Sequence, residues 1–90
     1  MVVPYRPLEA GLQRRFWAAL RSLDIPLSRF CDEACIRRQK YQQMKKEVSD
    51  APDYYPKRYI DGSALVWLCM NYGISANWLL KGRGKMYADY

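Results

Sequence analysis

The chain has no histidine. That removes the imidazole on which most acid–base, triad and metal chemistry near neutral pH depends. Cysteine is scarce and odd in number, with 3 thiols at Cys31, Cys35 and Cys69. Cys31 and Cys35 stand one helical turn apart and Cys69 is distant, so they would hold zinc only with a fourth ligand from elsewhere. An odd thiol count with no export signal fits a reduced, cytoplasmic compartment better than a disulfide framework. Long apolar runs are also lacking. The longest stretch without charge or proline, Gly62 to Leu80, is broken by Gly73 and carries Ser63, Asn71, Ser75 and Asn77. It reads as two helices and not as a membrane span. The opening MVVPYRPLEAGLQRR has no apolar core behind a basic start, so no signal peptide is expected. There is no internal repeat and no low-complexity segment. No carboxylate pair stands out as a glycosidase or nuclease site. Gly82-Arg83-Gly84-Lys85 lacks the first glycine and the Ser/Thr of a phosphate loop. Neither an enzyme, nor a cofactor, nor a bound metal is expected.

What is present points to a small packed domain. Of the 90 residues, 50% are hydrophobic and 14% aromatic, enough for a core and for one domain spanning 1–90. The 15 basic residues outnumber the 9 acidic ones, for a net charge of +6. That balance favours a polyanionic partner: DNA, RNA or an anionic membrane surface. Charge alone does not choose among them.

Helical periodicity organises most of the chain. Residues 1–7 read as an extended arm, because Pro4 and Pro7 exclude a helix interior. Pro7 is placed to open a helix over about Leu8–Leu23, whose buried stripe is Leu12, Phe16, Ala19, Leu20 and Leu23. Arg14, Arg15 and Arg21 lie mostly off that stripe, as a solvated face or, for Arg14 or Arg15, as a phosphate contact. Asp24-Ile25-Pro26 breaks the chain. A short helix follows over about Leu27–Ala34, then a turn at Cys35-Ile36, then a helix from Arg37 or Arg38 to about Glu47. Residues 48–60 read as an inserted loop stiffened by Pro52 and Pro56. Its tyrosines, Tyr54, Tyr55 and Tyr59, cover the core, contact a nucleic-acid backbone with Lys57 and Arg58, or form a dimer contact. Asp61 is expected to cap the next helix, which buries Ala64, Leu65, Leu68, Cys69 and Tyr72 and ends at a left-handed Gly73. Ser75 caps a last short helix, with Ile74 and Leu79 spaced as a hydrophobic staple and Gly82 as its stop. Trp67 and Met70 fall outside the main buried face, as extra core or as a homodimer surface. The tail, 81–90, packs back on the domain or on a partner.

The stretch from Leu27 to Lys46 carries the functional reading. Phe30 and Ala34 share one face of its first helix, and Tyr41 and Met44 one face of its second. Ile36 plugs the angle between them. Arg38, Gln39, Gln42 and Gln43 then point outward. A helix pair packed on one side, with guanidinium and amide groups on the other, suits the reading of base edges. Arginine bonds a guanine edge in a bidentate way and glutamine an adenine edge. Arg37, Lys40, Lys45 and Lys46 read as phosphate contacts or solubilising charge, and Lys57 and Arg58 as phosphate contacts from the loop. Asp32 and Glu33 lie at the wrong end of their helix dipole and would repel phosphate, which places them away from a nucleic acid. The alternative for the whole face is a solvated basic helix with no partner.

Leu23 to Lys46 resembles, without a gap, the helix-turn-helix of phage-repressor-like regulators, the lambda-repressor-like or Cro/C1-type superfamily. Asn71 to Tyr87, NYGISANWLLKGRGKMY, is similar to the closing segment of that domain. The resemblance covers about residues 12 to 87, interrupted near 48–60. It departs from the family at Cys35, where glycine is usual, at Leu27, where glutamine often touches a phosphate, and at the insertion. The resemblance implies an all-α fold of four to five short helices. It implies double-stranded DNA as partner, with Arg38, Gln39 and Gln43 where family members touch bases and Gln42 next on the same face. A small repressor-like regulator of transcription, commonly a dimer on two half-sites, is what it implies functionally. The competing expectation is a protein-interaction module that keeps the fold without binding DNA.

Overall fold

The computed structural model describes residues 5–50 and 58–88, with side chains over 8–48 and 58–88. The described residues form five helices: α1 (Tyr5–Leu23), α2 (Leu27–Ala34), α3 (Arg38–Asp50), α4 (Gly62–Tyr72) and α5 (Ala76–Lys81). There is no strand among the described residues, only one antiparallel bridge between Ile74 and Tyr87.

Two boundaries differ from expectation. The arm expected over residues 1–7 gives way to helix at Tyr5, so Pro7 sits inside the first turn of α1 and does not open it. First-turn amides have no intrahelical acceptor, so proline loses nothing there. The inserted loop expected from residue 48 begins later, because α3 runs to Asp50. Val48 continues the Tyr41–Met44 stripe at helical spacing and packs, half-buried, on the core. Tyr54, Tyr55 and Lys57 lie outside the described residues.

The two breaks between α1, α2 and α3 are built alike. After α1, Asp24 turns left-handed (φ 54°), and Asp24 N and Ile25 N donate to the carbonyls of Arg21 and Leu20. After α2, Cys35 does the same at φ 57°, with Cys35 N donating to Asp32 O and Ile36 N to Cys31 O. Each is a paired closing turn that satisfies carbonyls at the helix end. Ile25 and Ile36, one residue on, each pack against the core.

Side chains from all five helices meet in that core. Phe16 is its centre, with Trp17 at 4.9 Å, Phe30 at 5.6 Å and Tyr41 at 5.9 Å between ring centroids. The first two contacts are edge-to-face, the favourable arrangement for aromatic quadrupoles. Met44, Leu68, Ile74 and Leu79 are fully buried around them. Of the stripe expected on α1, Phe16, Ala19 and Leu20 are buried, while Leu12 and Leu23 are half-buried. Trp17, Glu9 and Gln13 are buried in addition.

The carboxyl-terminal segment closes back on the fold. Ser75 N donates to Met86 O at 2.8 Å, and Ala88 N to Gly73 O at 2.8 Å. Ser75 also caps α5 as expected, its hydroxyl accepting from Trp78 N. Gly73 and Gly82 end α4 and α5 in the left-handed region. Arg15, entertained above as a phosphate contact, serves α5 instead: its Nε donates to Leu79 O at 2.8 Å and its Nη2 to Leu80 O at 3.2 Å. Among the described residues, no helix is long and apolar enough to cross a membrane.

Candidate nucleic-acid interface

The orientation of α3 is fixed from its inner side. Tyr41 and Met44 are fully buried, and successive residues of a helix step about 100° around its axis. The opposite face therefore carries Gln39, Gln42, Gln43 and Lys46, with Arg38 and Lys45 on its flank nearer Tyr41, and all six are exposed. From Arg38 to Lys46 this face extends about 12 Å, comparable to the width of a B-DNA major groove.

The tyrosine hydroxyl does more than fill space. Tyr41 OH donates to Asp61 Oδ2 at 2.7 Å and accepts from Asp61 N at 2.7 Å, tying α3 to the start of α4. Lys40 Nζ reaches the same carboxylate oxygen at 3.2 Å. Asp61 was expected to cap α4 with its side chain. It stands at the cap position but makes no side-chain cap bond, because its carboxylate is taken by Tyr41 and Lys40. Burial pushes the Tyr41 hydroxyl far above the ordinary tyrosine range. Burial also acts to raise Asp61, but hydrogen bonds from Tyr41 and Lys40 outweigh it and hold the carboxyl below its usual range. Lys40, expected at a phosphate, is thus half-buried and committed to an internal ion pair.

α2 is tied to α4 by a second acid. Glu33 accepts from the Tyr72 hydroxyl, from Trp67 Nε1 at 3.1 Å and from Arg29 Nε at 3.1 Å. The Tyr72 and Trp67 bonds keep its carboxyl below the usual range. Trp67 is therefore a half-buried polar anchor, whereas Met70 is 77% exposed.

Asp32 departs from expectation. Instead of lying away from the outward face, it pairs side-on with Arg38: Nε donates to Oδ1 at 2.9 Å and Nη2 donates to Oδ2. The Arg38 hydrogen bonds hold the Asp32 carboxyl low. At the other end of α3, Gln43 Nε2 donates to Glu47 Oε1 at 3.3 Å, and Arg58 Nη1 binds that oxygen at 2.6 Å. So Arg58, read as a phosphate contact, is an ion-pair partner of Glu47 here. Gln39, Gln42, Arg37 and Lys46 are exposed, and none makes a side-chain hydrogen bond or ion pair among the described residues. Lys45 is exposed and lines a cleft with Trp17, Arg21 and Asp24.

At the start of α3, Arg37 stands beside backbone amides that carry partial positive charge, while the charges of Arg38 and Lys40 are offset by Asp32 and Asp61. The acid Glu47 stands towards the other end. Both placements oppose the macrodipole, so the charges at these two ends do not serve the stability of α3 itself. The three cysteines are free thiols, with Cys31 buried, Cys69 half-buried and Cys35 exposed. No cluster of three or more potential metal ligands occurs among the described residues.

No protein-family model matches the chain. Comparison with curated proteins and with solved structures likewise returns no match.

Proposed function

We propose that this chain binds double-stranded DNA in a sequence-specific way through α3, as a small repressor-like regulator of transcription. One observation carries the reading. A helix locked inward by Tyr41 and Met44 turns Arg38, Gln39, Gln42 and Gln43 outward together, beside Lys45 and Lys46. These are the side-chain types that bond guanine and adenine edges, flanked by charges that suit phosphate. The resemblance of Leu23–Lys46 to the helix-turn-helix of phage-repressor-like regulators supports the same reading. The role is one of binding, not catalysis.

Fluorescence anisotropy with a labelled random-sequence duplex tests it, at low and moderate salt. Binding falls steeply as salt rises, because counterion release drives it. Arg38→Ala/Gln39→Ala weakens binding to a duplex selected by the wild type by on the order of tenfold or more. Wild-type protein that binds no duplex even at low salt refutes the proposal. A second reading, a protein-interaction module, is favoured by Val66, Met70 and Leu80, which are 60%, 77% and 54% exposed along α4 and α5. In that case Met70→Ser abolishes the interaction while Arg38→Ala leaves it intact.

A further inference from the structure

We infer that Asp32 is a positioning residue that makes Arg38 selective for guanine. The inference rests on α3 being the helix that reads DNA. Its geometric basis is the side-on pairing of the two side chains across the turn, through Nε to Oδ1 at 2.9 Å and Nη2 to Oδ2.

A guanidinium carries five N–H groups in one rigid plane. The carboxylate takes two of them, both on the edge shared by Nε and Nη2. Three remain. Two of these, one on Nη1 and one on Nη2, lie parallel on the end of the group, away from the acid. That parallel pair is the one that fits the O6 and N7 acceptors of guanine. Asp32 and guanine therefore do not compete. The acid fixes the plane of the guanidinium and leaves the edge that reads the base open.

The pair contributes little to folding. The side chains of Arg38 and Asp32 are 53% and 58% exposed. Ion pairs this open to water add little to stability. What the pair does change is the order of a long side chain: Arg38 loses rotamer freedom before any ligand arrives, so less is lost on binding. Asp32 has an opposing effect as well. A carboxylate this near the amino end of α3 repels phosphate and weakens binding to DNA of any sequence. The two effects separate on mutation. Removing Asp32 raises affinity for random duplex and lowers discrimination at one base. A residue that merely supported the fold would move both in the same direction.

The pair is tested first in the free protein. The Arg38 Nε–H gives a resolved, slowly exchanging signal in 15N NMR that Asp32→Ala removes, while far-UV circular dichroism and thermal midpoint stay close to wild type. Binding sites are then selected from randomised duplexes with wild type, Asp32→Ala, Arg38→Ala and the double variant. The wild type selects guanine at one position. Asp32→Ala loses on the order of tenfold discrimination there, yet binds random duplex as tightly as wild type or more so. In the Arg38→Ala background, removing Asp32 changes discrimination at that position by less than twofold. The role of Asp32 is overturned if Asp32→Ala discriminates as wild type does, or if its loss is as large without Arg38. The second result would make Asp32 itself the reader, accepting from cytosine N4. A wild type that selects no site at all overturns the α3 reading, and this inference with it.

Discussion

Replacing Tyr41 with phenylalanine removes one oxygen and leaves the ring where it is, against Phe16 at 5.9 Å and Trp17 at 6.5 Å. The loss is thus confined to the hydroxyl. That oxygen donates to Asp61 Oδ2 and accepts from Asp61 N, both at 2.7 Å. A neutral hydrogen bond contributes about 1 kcal/mol and one to a charged group about 1.5–3 kcal/mol. The Asp61 side chain is 44% exposed, so water replaces part of what is lost, and Lys40 stays on the carboxylate. Tyr41→Phe is therefore expected to destabilise by about 2–3 kcal/mol. For a domain of this size that is roughly 10–20 °C in Tm. Urea unfolding followed by circular dichroism reads it as a lower midpoint at unchanged m-value. The pH dependence follows from the same pair. The folded pKa of Tyr41 is raised above its ordinary value of 10.0, so its contribution is whole below pH 10 and is lost as pH climbs towards the folded value. The folded pKa of Asp61 is depressed below 3.8, so its contribution is whole above that value and is lost as pH falls through the folded one. Tyr41→Phe should flatten the alkaline limb and, through Asp61, part of the acid limb. A loss under 0.5 kcal/mol, or effects of Tyr41→Phe and Asp61→Ala that simply add, would refute the link between α3 and α4.

Other substitutions probe other joints. Glu9→Ala strips the buried Ile60 N–H and the Gln13 amide of an acceptor they meet at 2.9 and 3.1 Å, and should cost about 2–4 kcal/mol by urea unfolding. Cys35→Gly, at an exposed residue with φ 57°, should stabilise by about 0.5–1 kcal/mol, read as a rise in Tm. Gly82→Ala should destabilise by about 1–2 kcal/mol, since the residue sits at φ +72° and a Cβ there would stand 3.1 Å from Arg15 Nη1. Arg37→Ala/Lys46→Ala should flatten the slope of log affinity for DNA against log salt by about 2, whereas Arg58→Ala, whose charge Glu47 offsets, should change it far less.

Where apolar spacing decided the structure, the sequence was legible. Phe16, Ala19 and Leu20 recur at helical intervals, and Phe30, Ala34, Tyr41 and Met44 mark the inner faces of α2 and α3; all are buried. Gly73, Ser75 and Gly82 announced their turns and cap through local backbone chemistry. Polar residues serving the interior were harder to see. Glu9 and Gln13 lie on the same stripe as Phe16 and Leu20, at i, i+4, i+7 and i+11, and that spacing was the available signal. Their partners stand 51 and 45 residues away, at Ile60 N and Arg58 O, and no local pattern reports contacts so distant. Asp61 shows the complementary failure. Its position next to a helix start suggested a cap, yet a tyrosine 20 residues earlier claims its carboxylate. Asp32 went astray because helix-dipole reasoning weighs an acid against its own helix, and the partner that decides its place stands in the next one.

The outward face of α3 is therefore not a uniform set of polar side chains. Its amino end is held by Asp32 through Arg38 and its carboxyl end by Glu47 through Gln43 and Arg58, while Gln39 and Gln42 between them carry amides with no partner among the described residues. Order at the two ends and freedom in the middle have different consequences for a ligand. A group already fixed gives up little entropy on contact and tolerates little change in what it meets. A free amide can turn to present donor or acceptor, at the expense of its own rotamer freedom. Discrimination by such a face should concentrate where Arg38 lands, with Gln39 and Gln42 adding contacts that accept more than one base. That asymmetry follows from the acids around α3, and neither the count of basic residues nor the outward spacing of Arg38, Gln39, Gln42 and Gln43 contains it.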